Sequence, residues 1–133
     1  MQEYLDVLVM TESHPVLIIE DEECIRENFQ LLLELEGYSV LTAGNGKEGL
    51  DQLRKTTSPC LILLDLMMPV MNGQEFLKAK AAEESLASIP VCILSGAGSQ
   101  PELPGIVAFL SKPVDFSRLL DLIGNYCGST KRA

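Results

Sequence analysis

"CLILLDLMMPVMNG", residues 60–73, is the stretch on which the reading of this chain turns. Leu61 to Leu64 form an unbroken apolar run, Asp65 ends it, and Pro69 and Asn72-Gly73 mark the turn that follows. A run with no polar alternation predicts a strand covered on both faces, as in a parallel sheet between two layers of helices. A carboxylate closing such a strand is either the first solvated residue of a loop or one member of a site. The ends of the other strands decide between the two.

Four further runs share this character: "PVLIIE" (15–20), "YSVLTA" (38–43), "PVCILS" (90–95) and "IVAFLS" (106–111). Helical patterns separate the first four strands. Ile25, Phe29, Leu32 and Leu33 fall on one face of 22–36, which Gly37 terminates. Leu50 and Leu53 mark a shorter helix over 46–55, and Phe76, Leu77 and Ala81 line 73–84 behind Asn72 as cap. Phe116, Leu119, Leu120 and Ile123 follow helical spacing behind Asp115, a good N-cap. Strands alternating with helices predict an α/β fold, a doubly wound parallel sheet with right-handed crossovers.

With 133 residues the chain has one domain's worth of core, expected over 14–128. Residues 1–13 read as a flexible leader, partly non-native if Met10 is the true start, and 129–133 as a tail. The leader carries Glu3 and Asp6 without a basic region, so it does not read as a secretory signal. A net charge of −9 argues against nucleic acid and anionic membrane as partners. Cys24, Cys60, Cys92 and Cys127 form no close pair in sequence and are expected as buried, reduced thiols of a cytoplasmic protein. His14, before the first strand, reads as a tail residue.

Sites in open parallel sheets form outside the carboxyl ends of the strands. Here those ends carry Glu20-Asp21-Glu22, Asp65, Ser95 and Ser111-Lys112. Singly, each has a plain explanation: a strand-end acid caps a helix, Ser95 before Gly96 turns the chain, and Lys112 is a surface charge. Together they place several acids, a hydroxyl and one ammonium on a single edge. Clustered carboxylates repel, and the excess negative charge calls for a hard divalent cation with oxygen ligands, for which Mg²⁺ is suited. A carboxylate beside such an ion, a lysine and a hydroxyl describes a phosphoryl site with Asp65 as nucleophile.

"IIEDE" (18–22), "LLDLMMPVMNG" (63–73), "ILS" (93–95) and "LSKP" (110–113), in that order, resemble the receiver domain of two-component response regulators over about residues 14–127. The resemblance implies a five-stranded flavodoxin-like sheet of order 2-1-3-4-5. It implies Asp65 as phosphoacceptor, with Ser95 and Lys112 contacting the phosphoryl group. Asp21 and Asp65 would ligate Mg²⁺ with the backbone carbonyl of Met67, and Glu20 would act through a bound water. Ser95 and Phe109 take the switch positions, although Phe109 reads first as a core residue. Lys112-Pro113 is expected to be cis. The function implied is a cytoplasmic signalling switch, not an enzyme acting on other substrates. A histidine kinase or histidine phosphotransfer protein would be the donor, and a downstream protein the target.

Two features depart from that pattern. Met67 puts an apolar side chain where many members carry a polar one. "GAGSQPELPG" (96–105), with three glycines and two prolines, stands in the last crossover, so the fourth helix is expected to be shortened or missing. Two other readings remain open. One is a pseudo-receiver that binds partners without phosphorylation. The other is a Mg²⁺-dependent aspartate-nucleophile phosphatase of the haloacid dehalogenase type, in which a second acid would stand where Met67 does.

Overall fold

Strands β1 (Val16–Ile19), β2 (Val40–Ala43), β3 (Leu61–Asp65), β4 (Val91–Ser95) and β5 (Ile106–Ser111) pair in parallel in the order β2-β1-β3-β4-β5. The computed structural model describes residues 14–55, 58–68, 70–96 and 105–128. The expected leader (1–13) and tail (129–133) lie outside them, as do residues 97–104, on which the shortened or missing fourth helix was to fall. The described helices are α1 (Glu23–Leu35), α2 (Gly46–Lys55), α3 (Gly73–Ala82), the single turn α4 (Glu84–Ala87) and α5 (Phe116–Cys127).

Every residue of β1 and β3 is buried, the consequence of helices on both faces. On one face Leu17, Ile19, Ile62, Leu64 and Ile93 meet Leu50 and Leu53 of α2, Phe76 and Leu77 of α3, and Leu86 of α4. On the other, Val16, Ile18, Leu61, Leu63 and Leu94 meet Leu33 of α1 and Leu119 and Ile123 of α5. Alternate residues of each strand thus serve opposite layers, as the pleat requires. Between β4 and β5 the register slips at Val91/Cys92, and Val107 is the extra residue on the edge strand.

Local chemistry sets the helix ends. Gly37 (φ 97°) lets α1 close: its N–H donates to Glu34 O at 3.0 Å, and the Tyr38 N–H to Leu33 O at 3.1 Å. Asn72 Oδ1 accepts from Glu75 N at 2.8 Å while Glu75 Oε1 accepts from Asn72 N at 3.0 Å, a reciprocal cap. Asp115 Oδ1 caps α5 by accepting from Ser117 N at 3.0 Å.

Four expectations are corrected. The helix over 73–84 ends at Ala82, and the chain turns through extended Glu83 into α4, which the sequence reading did not foresee. Leu32, placed on the inner face of α1, is 40% exposed. On α3 the inward position one turn beyond Phe76 is held by Lys80, 1% exposed, while Ala81 is only half-buried. Finally, Cys60 and Cys127, 67 positions apart in sequence, form a disulfide with Cα atoms 5.2 Å apart. The topology brings the end of α5 back beside the start of β3, a proximity that sequence spacing cannot reveal. Cys24 and Cys92 remain thiols, as expected, and Cys92 is buried, but Cys24, in the first turn of α1, is exposed.

Lys80 Nζ donates to Ala87 O at 2.9 Å and so occupies a carbonyl that α4 leaves open at its end. Among the described residues no carboxylate pairs with it. Burial lowers its ammonium from the ordinary 10.5 to about 8. The sign follows: between those two values the unfolded chain binds more protons, so this group makes stability rise with pH through that window. Lys80→Met is expected to abolish this alkaline gain. It should also raise stability at neutral pH by about 1–2 kcal/mol, the relief of burying a charge less one lost hydrogen bond. Urea unfolding of both proteins across the window checks it, and an unchanged alkaline slope in the variant would refute it.

Candidate functional site

The sheet register assembles the strand-end residues. Ile19 lies beside Leu64, so Glu20 emerges next to Asp65. Asp65 is opposite Leu94, the residue before Ser95, and Ser95 is opposite Ser111, the residue before Lys112. The Lys112 N–H donates to Ser95 O at 2.9 Å, extending the ladder past the end of β5. Four neighbouring strands therefore deliver Glu20, Asp65, Ser95 and Lys112 to one edge, as the sequence reading expects.

Carboxylate oxygens of Glu20, Asp21 and Asp65 all lie within 4.8 Å of one another. Glu20 and Asp65 are buried, and Asp21 is more open. Lys112 Nζ stands 3.3 Å from Asp65 Oδ1 and 3.6 Å from Glu20 Oε1. Burial is the main force raising the Glu20 carboxyl above its usual range. The Glu22 N–H, donating to Glu20 Oε2 at 3.1 Å, opposes it, and the Asp65 charge reinforces it. Burial works to lower the Lys112 ammonium, but Asp65 and then Glu20 outweigh it and hold the group above its ordinary value.

One ammonium shared by three acids leaves net negative charge, and among the described residues Glu20 Oε1 is buried without a hydrogen-bond partner. A buried carboxylate oxygen with only a long contact to Lys112 and no hydrogen bond, in an all-oxygen cluster, fits a hard divalent cation, the donor set that Mg²⁺ accepts.

The rim is shaped by the β3–α3 turn. The Gly73 N–H donates to Leu66 O at 2.9 Å, and a Cβ at Gly73 would lie 2.6 Å from Leu66 Cα, so the backbones meet where a side chain would not fit. The Met67 N–H lies 3.4 Å from Asp65 Oδ1, while the Met67 side chain is 81% exposed. Val70, also exposed, holds a left-handed φ of 67°, uncommon for a β-branched residue. Lys112-Pro113 is cis, as expected. Phe109 packs, partly buried, against the core layer of α2 and α3 beside Ile93. His14 stays at the far edge of the sheet, its Nδ1 3.3 Å from Ser58 O, as its reading outside the site requires.

The sequence reading missed Arg26. From α1 it donates through one guanidinium nitrogen to Glu20 O at 2.9 Å and, more weakly, to Asp21 O at 3.5 Å. It thereby fixes the backbone of the two consecutive acids and sets a permanent cation behind them. The available signal was an arginine one helical turn beyond Glu22.

Comparison with known proteins agrees with this geometry. The profile of the response regulator receiver domain matches residues 16–124. A polar-differentiation response regulator, DivK, of Brucella ovis is 34% identical over 124 residues, covering 90% of this chain and 98% of the relative. Among solved structures, a response regulator receiver protein from Pseudomonas putida superposes with a TM-score of 0.76 at 27% identity, covering 84% of this chain and 97% of that one. The chemotaxis protein CheY4 of Vibrio cholerae gives 0.74 at 30% identity, covering 85% and 98%. A five-stranded sheet in this order, an acid cluster beside a lysine at its carboxyl edge and a match over most of the chain lead to one conclusion: the chain belongs to the response regulator receiver domain family.

Proposed function

We propose that this receiver domain is a phosphorylation switch that takes a phosphoryl group onto Asp65 from a phosphohistidine of a histidine kinase or phosphotransfer protein. The observation that carries the reading is Lys112 Nζ within 3.3 Å of a buried Asp65 whose neighbours are two further acids. An Asp65 oxygen attacks phosphorus as the phosphorus–nitrogen bond breaks, and the electron pair leaves with the imidazole. Lys112 is set to trade its contact with Asp65 for one with the transferred oxygens. Ser95, at the end of the neighbouring strand, is the hydroxyl donor to the same group. Asp21, Asp65 and the Met67 carbonyl would hold Mg²⁺, with Glu20 behind them, and the ion would supply positive charge to the phosphoryl oxygens. Ser95 and Phe109 would pass the change to the surface around β4 and β5. A phosphatase of the haloacid dehalogenase type is disfavoured because the exposed Met67 has no acidic group to protonate a leaving oxygen. Among the described residues no helix is long and apolar enough to cross a membrane.

Incubation with a small phosphodonor and Mg²⁺ is expected to add one phosphoryl mass, and Asp65→Asn to abolish the addition. Labelling that persists in the variant moves the acceptor elsewhere, whereas no labelling of the unaltered protein leaves the pseudo-receiver reading standing.

Asp21→Ala removes a charged oxygen from the cluster. It is expected to weaken Mg²⁺ binding about tenfold or more and to slow phosphorylation in parallel. Calorimetric titration of the metal decides the matter, since unchanged affinity would return Asp21 to a helix-capping role.

Loss of the phosphoryl group requires an in-line water, and Met67 offers no hydrogen bond to orient one. Met67→Asn or Met67→Glu is therefore expected to speed decay of the phosphorylated protein by roughly threefold or more. Phosphate release followed over time tests this, and equal or slower decay in both variants excludes it.

A further inference from the structure

We infer that Cys60 and Cys127 are a reversible thiol–disulfide site, open to exchange with small-molecule disulfides and thiols, that clasps the end of α5 to the start of β3. The two elements it joins are those that build the opposite edge. β3 ends in Asp65, and α5 begins just after Lys112-Pro113. At the site edge the segment leading into α5 is tied to β3 by the Lys112–Asp65 contact, and at the far edge α5 itself is tied to the start of β3 by the sulfur bond. About 17 Å of strand separates Cys60 from Asp65. The clasp therefore acts on the seating of α5 and leaves the acid cluster intact.

Three observations favour exchange over a permanent crosslink. First, both cysteines are only half-buried, so a small disulfide or thiol can reach them. Cys92, in contrast, is fully buried and its thiol is pushed up to about 12, which keeps it out of exchange. Second, the fold holds the pair together without the bond. Leu119 and Ile123 anchor α5 in the core, and the Tyr38 hydroxyl donates to Gly128 O at 3.0 Å, next to Cys127. After reduction the thiols thus remain neighbours, and reclosure is an intramolecular step. Third, the domain has an extensive apolar core on each face of its sheet, the feature whose absence makes small disulfide-framed domains rely on their crosslinks.

The exchange balances in two steps. One cysteine thiolate attacks a sulfur of the small disulfide, forming a mixed disulfide and releasing one small thiolate. The second cysteine thiolate attacks the protein-side sulfur, closes the Cys60–Cys127 bond and releases the other. The two protein thiol protons end on the two released thiols, the small disulfide is reduced, and the protein dithiol is oxidised.

The test equilibrates the full chain, carrying Cys24→Ser to silence the exposed thiol, in a series of reduced and oxidised glutathione mixtures. Alkylation and peptide mass mapping then read each cysteine, and melting midpoints are taken at both ends of the series. The expected result is full, reversible interconversion of Cys60 and Cys127 as a pair, with Cys92 reduced throughout. The oxidised form should melt about 5 °C or more above the reduced one. Cys60→Ser should show the reduced midpoint under all conditions. The rate of phosphoryl uptake should agree within about twofold between the two forms, given the separation along β3. A bond that survives excess reduced glutathione in the native protein overturns the proposal in favour of a fixed crosslink. Thiols that stay reduced in excess oxidised glutathione overturn it too, as does an equal midpoint in both forms. The thiol and melting readouts do not depend on phosphorylation, so they stand or fall apart from the reading of Asp65.

Discussion

Two buried carboxylates facing a single ammonium set the terms for the rest of this molecule. Charges of like sign less than 5 Å apart at a protein edge repel by on the order of 3 kcal/mol, and Lys112 cannot neutralise Glu20, Asp21 and Asp65 together. The cluster persists because its members have no freedom to separate. Glu20 is fixed by the pairing of β1 with β3, its backbone by Arg26, and Lys112 by the bond from its own N–H to Ser95. The apolar layers on both faces of the sheet supply the stability that this frustrated edge lacks.

That arrangement explains why so much was legible in the sequence. Strands buried on both faces leave uninterrupted apolar runs, so the polar residue that ends each run is conspicuous. In a parallel sheet those endings share one edge, so the sequence alone groups Glu20, Asp65, Ser95 and Lys112. Caps were legible for a similar reason: Asn72, Asp115 and Gly37 act through their own neighbouring backbone.

What was not legible depends on distant chain segments meeting. The partnership of Cys60 with Cys127 follows from where α5 ends over the sheet, which no local pattern encodes. Lys80 has the look of a surface lysine until α4 supplies a carbonyl for it, and α4 itself exists because Glu83 breaks a helix that periodicity would have continued. Leu32 fits the apolar stripe of α1, yet the helix is rotated so that Leu33 takes the inner position and Leu31, Leu32 and Leu35 stay open. Arg26 was hidden for another reason: it bonds carbonyl oxygens, which every residue type possesses.

Gly49 ties these parts together in a further way. A methyl group there would come within 2.5 Å of Ile19 Cδ1 and 3.2 Å of the Phe76 ring, so α2, β1 and α3 meet over a residue with no side chain. Ile19 immediately precedes Glu20. Any larger residue at Gly49 must push the buried Ile19 side chain aside, next to the acid that Ile19 precedes, and crowd the Phe76 ring. The inner layer therefore has little room for a larger side chain, while the outer face of α1, with Leu31 and Leu35 in the open, has a great deal. Side chains on that outer face can change in size and charge without reaching the packing that holds the acid-bearing strand ends together.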